Sequence, residues 1–347
     1  MDLSEAMRQA ITLARPTRPH PNPRVGAVVL GPDGELVGAG VHGGPGHPHA
    51  EVVALQQAGR SAAGGTMVVT LEPCAHDGRT PPCVQALLGA GVRRVVVGAE
   101  DPDPRVSGKG IAALAQRGVE LVTGVLSEEA QDLDPGYFHH RRTGRPRVTL
   151  KMALTLDGQA AGADGSSQWI TNQKARFDAH RLRAESDAVM VGAGTVLADN
   201  PRLTVRLAGH RGAQPVPVVV AGRRPLPGHA RVFSRPCLVL APRPVQLPAE
   251  VIVAGEGNRV DLEAALAELG RRGIVDLLVE GGPRLAGSLA ALHLLDRGVL
   301  YLGARLAGGV GLPAFDAIFS TLEGARPVRI TDVRQVGSDV RIEFGGP

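Results

Sequence analysis

Two α/β domains in tandem are what the sequence predicts, on three observations. Strand and helix patterns alternate through both halves, a polar stretch at His139–Pro146 interrupts the alternation, and 347 residues is about the length of two ordinary domains. The boundary is therefore placed in that stretch, with residues 1–145 in the first domain and 146–347 in the second. A composition of 43% hydrophobic and 21% charged residues belongs to a globular chain and fits no disordered class.

The first domain opens on a helix over Met1–Arg15. Asp2 and Glu5 have the spacing of a capping box, and Leu3, Ala6, Met7, Ala10, Ile11 and Ala14 recur at helical spacing. Val25–Leu30 and Glu35–Val41 flank the turn Pro32-Asp-Gly-Glu35 and read as an antiparallel hairpin. Helix His49–Ala58, strand Thr66–Leu71, helix Pro82–Ala90, strand Val92–Val97, helix Lys109–Arg117 and strand Val119–Thr123 follow. That alternation predicts a mainly parallel sheet with helices on both faces. His139 and His140 lie in the polar stretch with no partner at metal spacing and are expected to be linker residues.

The second domain is predicted as strand Val148–Leu154, helix Asn172–Ala184, then strands Ala188–Val191, Pro217–Val220, Cys237–Leu240 and Val251–Val253. Helix Leu262–Arg271, strand Val275–Val279, helix Pro283–Leu292, strand Gly298–Leu302 and a terminal hairpin near Val328–Phe344 complete it. At Glu280-Gly-Gly-Pro283 a buried strand turns through two glycines into a helix whose first amides could cradle a phosphate. Glycine pairs also serve as plain tight turns, and this is not the G-x-G-x-x-G of a Rossmann domain.

Several function classes are excluded. The net charge is +4, but aromatic residues are 3% of the chain and the arginines are dispersed, so no single-stranded nucleic-acid platform is expected. Lysine occurs only as Lys109, Lys151 and Lys174, so arginine supplies nearly all the positive charge. No run of residues is long and apolar enough to span a membrane, and Met1–Arg15 lacks the basic start and apolar run of a secretory signal. The three cysteines fit a reducing cytoplasm, and Cys237 reads as a small buried hydrophobe in a strand.

The chemistry begins at His49-Ala50-Glu51, followed by Glu72-Pro73-Cys74 and Cys83. One imidazole and two thiolates can hold zinc (Zn2+) and leave a fourth position for water, while an unligated Glu beside them moves protons. Zinc lowers the pKa of a bound water from about 15.7 to about 7, so a nucleophile is available at neutral pH. An exocyclic amine leaves as ammonia only if a carboxyl first takes and then returns a proton, and Glu51 suits that role. The alternative is a closed structural site with His76, His47 or His42 as fourth ligand, which would have no use for Glu51. Nucleobase deaminases often space the cysteines as C-x-x-C. Here eight residues, Ala75 to Pro82, separate them, and that loop is long enough to reach a substrate.

Taken together, His20-Pro-Asn-Pro-Arg-Val-Gly26, His49–Glu51, Glu72–Cys83, Asp101-Pro-Asp-Pro and Gly108-Lys-Gly110 resemble the bifunctional deaminase/reductase family of riboflavin biosynthesis. The likeness continues through Lys151-Met-Ala-Leu-Thr-Leu-Asp157-Gly158, Ser167-Gln-Trp169-Ile-Thr171, Ala198-Asp-Asn-Pro201 and Val279-Glu280-Gly-Gly-Pro283, and so covers nearly the whole chain. The resemblance implies a cytidine-deaminase-like three-layer α/β/α domain followed by a dihydrofolate-reductase-like α/β domain. It implies zinc at His49, Cys74 and Cys83 and a deaminase pocket lined by Asn22, His42, His76 and Arg79; catalysis is expected of Glu51 in the first domain, and in the second Lys151 and Glu280 are the candidates to help charge develop as hydride is delivered. In the second domain it implies NADPH against Ala153, Trp169, Thr195, Asp199 and the run Gly282, Pro283, Arg284, Leu285, Ala286, Gly287 and Ser288. The substrate would meet Ser167, Arg183, Leu203, Arg206 and Glu280. Arg183 and Arg206 suit a phosphate, which a guanidinium binds bidentately. Val220-Ala-Gly-Arg223 departs from the family pattern of an Asp and a small hydroxyl residue, and no cofactor contact is carried over there.

The implied substrate is a small phosphoribosylaminopyrimidine, deaminated and then reduced in its sugar, by a cytoplasmic homo-oligomer without nucleic-acid or membrane partners. A nucleic-acid base deaminase with an appended binding domain is the rival reading, separated by activity on a free ribotide but not on RNA. A zinc-stabilised interaction module without turnover is the third, and it predicts no measurable effect of Glu51→Ala.

Overall fold

Asp2 starts the first helix, α1 (Leu3–Ala14), as the capping pattern requires: its carboxylate accepts the Glu5 N–H at 2.8 Å. Ala6, Met7, Ala10, Ile11 and Ala14 form the buried face, each 4% exposed or less. The computed structural model describes residues 1–76, 81–222, 224–316 and 321–346. These divide into two compact units, Met1–Thr143 and Gly144–Pro347.

In the first unit, β1 (Gly26–Leu30) and β2 (Leu36–Val41) pair antiparallel, and α2 (Ala50–Ala58) leads to β3 (Thr66–Leu71). Then come α3 (Cys83–Gly89), β4 (Arg94–Ala99), α4 (Lys109–Ala115), β5 (Glu120–Thr123), α5 (Ser127–Gln131) and α6 (Pro135–Thr143). The sheet order is β2-β1-β3-β4-β5. The expected mainly parallel sheet is corrected here. The β2-α2-β3 crossover makes β3 run with β2, and β1 lies between them, so β1 is antiparallel to both; only β3-β4 and β4-β5 are parallel. The linker reading of His139 and His140 is also corrected, because both lie within α6. Tyr137 on that helix donates its hydroxyl to Asp101 at 3.0 Å, and Arg141 stacks over the Tyr137 ring at 5.0 Å, so the helix is held from a distance in sequence.

Two glycines on β2 let α2 settle on the sheet. A Cβ at Gly38 would lie 2.3 Å from the Ala54 carbonyl oxygen, and one at Gly40 would lie 2.3 Å from that of Ala50. Any side chain there would push away the helix that carries Glu51 and is capped by His49.

In the second unit the elements are β6 (Arg147–Thr155), β7 (Gln159–Ala161), α7 (Gln173–Ala184), β8 (Ala188–Gly192), α8 (Ala193–Asp199), β9 (Val216–Val220), β10 (Leu238–Ala241) and β11 (Glu250–Val253). The short β12 (Gly255–Glu256) and β13 (Arg259–Val260) precede α9 (Leu262–Arg271), β14 (Asp276–Val279), α10 (Pro283–Ala291) and β15 (Arg297–Gly303). The chain closes with β16 (Leu312–Pro313), β17 (Arg329–Val336) and β18 (Asp339–Gly345). Nine strands form the main sheet in the order β11-β10-β9-β8-β14-β6-β15-β18-β17. All pairings from β11 to β15 are parallel, and the terminal hairpin adds the two antiparallel ones. The central strands β8, β14 and β6 bury Val189, Met190, Leu278, Val279 and Leu150 completely, as near-continuous apolar runs of a parallel sheet require.

Neighbouring β8 and β14 each run directly into a helix through glycine: Gly192 caps α8 and Gly282 caps α10. The crevice beyond such strand ends is where open α/β sheets receive ligands. Cys237 is 3% exposed just ahead of β10, in keeping with its reading as a buried hydrophobe.

Candidate functional sites

His49 is the N-cap of α2, Cys83 is the first residue of α3, and Cys74 follows β3. The His49 Nδ1 lies 3.0 Å from the Cys83 Sγ and 3.6 Å from the Cys74 Sγ, and the two sulfurs are 3.6 Å apart. A zinc tetrahedron with Zn–S near 2.3 Å and Zn–N near 2.0 Å has edges of about 3.5–3.8 Å, so the donor set fits the ion in number and type, two of its separations match, and the His49–Cys83 one would open by about 0.5 Å. Hydrogen bonds from Cys83 and His49 hold the Cys74 thiol down to about 4, while the bond to Cys74 and burial push the Cys83 thiol up. A pair of thiols competing for one proton in this way is what a dication binds as two thiolates.

Glu51 stands two residues beyond the cap and is 3% exposed; burial raises its carboxyl above the usual range. His42 packs edge-on against His49, with ring centroids 5.1 Å apart. Its Nδ1 is 3.1 Å from the Pro48 carbonyl oxygen, so that nitrogen donates, and its Nε2 accepts from the Asn22 amide at 2.8 Å. Burial lowers the His42 pKa, in keeping with the neutral ring these bonds require. His76 is exposed, and Arg79 lies outside the described residues.

Glu72 was singled out only as part of a motif. The structure gives it a larger part. Its buried carboxylate accepts the N–H groups of Asp101 at 3.3 Å, Gly108 at 3.0 Å, Gly110 at 2.9 Å and Ile111 at 3.3 Å. It thereby ties the Asp101-Pro-Asp-Pro loop and the start of α4 to the strand end that delivers Cys74. A Cβ at Gly110 would lie 1.8 Å from the Pro73 carbonyl oxygen, so Gly110 lets α4 approach this closely. Glu72→Ala strands these amides, and it is expected to cost about 3 kcal/mol or more in urea unfolding of the zinc-loaded protein. A loss under about 1 kcal/mol would mean that water replaces the carboxylate without penalty.

In the second unit Glu280 follows β14, and its N–H is held by the Met190 carbonyl at 2.9 Å. Arg183 grips its carboxylate bidentately, Nε at 2.6 Å and Nη2 at 2.8 Å, while Nη1 donates to the Thr204 carbonyl at 2.8 Å. Burial alone would raise the Glu280 carboxyl, but Arg183, Lys151 and His180 together carry it down to about 2. Lys151 is lowered by burial, against the pull of Glu280. Arg183 is thus already paired, whereas Arg206, exposed and lowered by burial and by the charge of Arg183, makes no ion pair among the described residues. Leu203 is buried at 2% exposure with a φ of 53°, and its carbonyl accepts from Arg235 at 3.1 Å.

The cofactor candidates lie around the same strand ends. A Cβ at Gly192 or Gly282 would meet nothing within 4 Å, so each helix start leaves open space of the kind a phosphate needs, and the residues fit a dinucleotide. Gly282–Ser288 form the cap and first turns of α10, and Thr195 and Asp199 lie on α8. Ala153 is two residues beyond Lys151 on β6, which puts both on one face of the strand. Trp169 is 56% exposed with the Arg176 guanidinium 4.4 Å from its ring centroid, so it is not a core residue. Ser167 and Thr195 make no hydrogen bond to the Glu280 group among the described residues.

Comparison with known proteins agrees with this geometry. Residues 1–99 match the cytidine and deoxycytidylate deaminase zinc-binding region, and residues 146–342 match the RibD C-terminal domain. The chain is 38% identical over 362 residues to the riboflavin biosynthesis protein RibD of Escherichia coli, covering 98% of both chains. The solved RibD of Acinetobacter baumannii superposes with a TM-score of 0.92 at 37% identity, over 99% of both chains. A solved diaminohydroxyphosphoribosylaminopyrimidine deaminase/5-amino-6-(5-phosphoribosylamino)uracil reductase from Thermotoga maritima gives 0.88 at 35% identity, again over 99% of both. No helix among the described residues is long and apolar enough to cross a membrane. With a zinc-binding deaminase region, a reductase domain that uses NADPH and full-length likeness to these proteins, the chain belongs to the RibD family of bifunctional deaminase/reductases of riboflavin biosynthesis.

Proposed function

We propose that residues 1–145 deaminate 2,5-diamino-6-(5-phosphoribosylamino)pyrimidin-4-one to 5-amino-6-(5-phosphoribosylamino)uracil, and that residues 146–347 then reduce its ribosyl group to ribityl with NADPH. The observation that carries the deaminase reading is a three-donor zinc set with a buried, unligated carboxyl next to it. His49, Cys74 and Cys83 would hold the zinc, whose chemistry would be to supply a nucleophile from water at neutral pH. Glu51 takes the proton that this nucleophile sheds and gives it to the leaving amine, which departs as ammonia. Asn22 and His42, locked in one tautomer, shape the pocket with His76 and Arg79, and Arg79 clamps the phosphate.

In the reductase half, bound NADPH would supply a hydride for the ribosyl carbon, and the protein must provide one proton to balance it. Glu280 is held ionised by Arg183 and does not give that proton; Lys151, its pKa brought down by burial, does. Arg206 takes the substrate phosphate, and Ser167 and Leu203 border the sugar. Gly282–Ser288, with Ala153, Trp169, Thr195 and Asp199, would hold NADPH. Val328, Ile330 and Val333, exposed on or beside the edge strand β17, support a homo-oligomer.

Purified protein assayed on the diaminopyrimidinone ribotide should release ammonia without NADPH, and should consume NADPH only after deamination or with the deaminated intermediate supplied. Ammonia release with no NADPH oxidation under any condition would leave a deaminase alone, and deamination of RNA in place of the ribotide would favour the rival reading.

A further inference from the structure

His180 stands three residues before Arg183 on α7, so the two side chains share one face of the helix. Its half-buried ring lies among Arg183, Arg206, Glu280 and Lys151. The Nδ1 accepts the backbone N–H of Arg206 at 3.3 Å, which puts the ring proton on Nε2. Among the described residues, that Nε2–H has no protein acceptor. We propose that His180 orients the reductase substrate, its Nδ1 fixing the backbone of Arg206 and its Nε2–H donating to an oxygen of the phosphorylated sugar chain. The inference rests on the reading of Lys151, Arg183, Arg206 and Glu280 as the substrate site.

The surroundings favour a neutral donor over a cation. Burial and the positive charges of Arg183 and Arg206 lower the ring to about 4, against the pull of Glu280, so at neutral pH it adds a directed N–H to the site without adding charge. Glu280 is already claimed by Arg183, so an incoming sugar or phosphate oxygen is the acceptor the site still lacks. His180 sits beside the backbone of Arg206, which makes no ion pair among the described residues, and so a single ring couples the phosphate clamp to the sugar.

Two conservative variants separate the nitrogens. Asn places an amide oxygen near the Nδ1 position and keeps the bond to Arg206; Gln places an amide N–H near Nε2 and keeps the donor. For reduction of the deaminated intermediate, His180→Asn is expected to raise KM about tenfold to a hundredfold, with the KM for NADPH unchanged, as for loss of a hydrogen bond to a charged or polar ligand. His180→Gln should stay within about threefold of the parent. If Asn behaves as the parent and Gln does not, His180 only supports the 206 backbone and the proposal falls. If both behave as the parent, the ring touches no substrate, and the proposal falls as well. Arg206→Ala tests the site itself: if it leaves KM unchanged, the phosphate is elsewhere and the site reading fails together with the proposal. If Arg206→Ala raises KM while His180→Asn does not, only the proposal fails.

Discussion

Glu51→Gln is expected to lower deamination by two to four powers of ten, about 3 to 5.5 kcal/mol of barrier, while zinc content stays at that of the parent. The amide keeps the volume and polarity of the side chain, so α2 and its His49 cap should be undisturbed. What it loses is the capacity to accept a proton and pass it on, and two transfers depend on that capacity, one from the nucleophile and one to the amine. The position is buried and the carboxyl is already raised, so the parent residue is set to exchange protons nearer neutral pH than an exposed Glu. Removing a carboxyl from a buried site also lifts a desolvation cost, so the thermal midpoint should hold or rise. Ammonia release and metal analysis on the same preparation check both parts. Turnover near the parent's would remove Glu51 from the mechanism, and loss of zinc would turn it into a structural residue.

How much of this was legible in the residues depended on whether the determinant was local. The cap at Asp2 is read from neighbours in sequence and found in the structure, and the donors His49, Cys74 and Cys83, read the same way, lie together there. α6 was not legible. Only Tyr137 and Phe138 give it an apolar face, and they are followed by two histidines and two arginines. What fixes it is the Tyr137 bond to Asp101 and the packing of Arg141 and Arg142 on aromatic rings, the latter 5.3 Å from that of Phe138. The antiparallel pairing of β1 with β2 was legible from the turn, but the place of β1 between β2 and β3 was not, since strand runs carry no record of which neighbour a crossover skips. Glu72 stands in a motif two residues before Cys74, and its amide partners lie 29 to 39 residues away, beyond any local pattern. Helical spacing to Arg183 was a local signal for His180, but an isolated histidine on a polar helix is usually a solvated one. Arg183 suits a phosphate by type, and its pairing with Glu280, 97 residues away, is a contact that no local pattern carries.

Damage to the two sites should be selective. Cys83→Ser is expected to abolish ammonia release while NADPH oxidation persists on supplied deaminated intermediate, and Lys151→Ala should do the reverse. The physical ground is that each donor group comes from a single unit. His49, Cys74, Cys83 and Glu51 lie within Met1–Thr143, and Lys151, Arg183, Arg206 and Glu280 lie within Gly144–Pro347, each on its own sheet and core. A serine hydroxyl is a far poorer zinc ligand than a thiolate, and Cys83 is fully buried at the head of α3, so metal loss will also weaken the first unit. That weakening should stop at the boundary. Lys151 is half-buried on β6 next to Glu280, and its loss removes the proposed proton donor while Arg183 continues to hold the carboxylate, so the second unit should stay folded. Metal content, circular dichroism and protease resistance of each half accompany the two assays. If Cys83→Ser stops reduction of supplied intermediate while the C-terminal unit remains folded by these measures, the two activities are coupled and do not reside in separable sites.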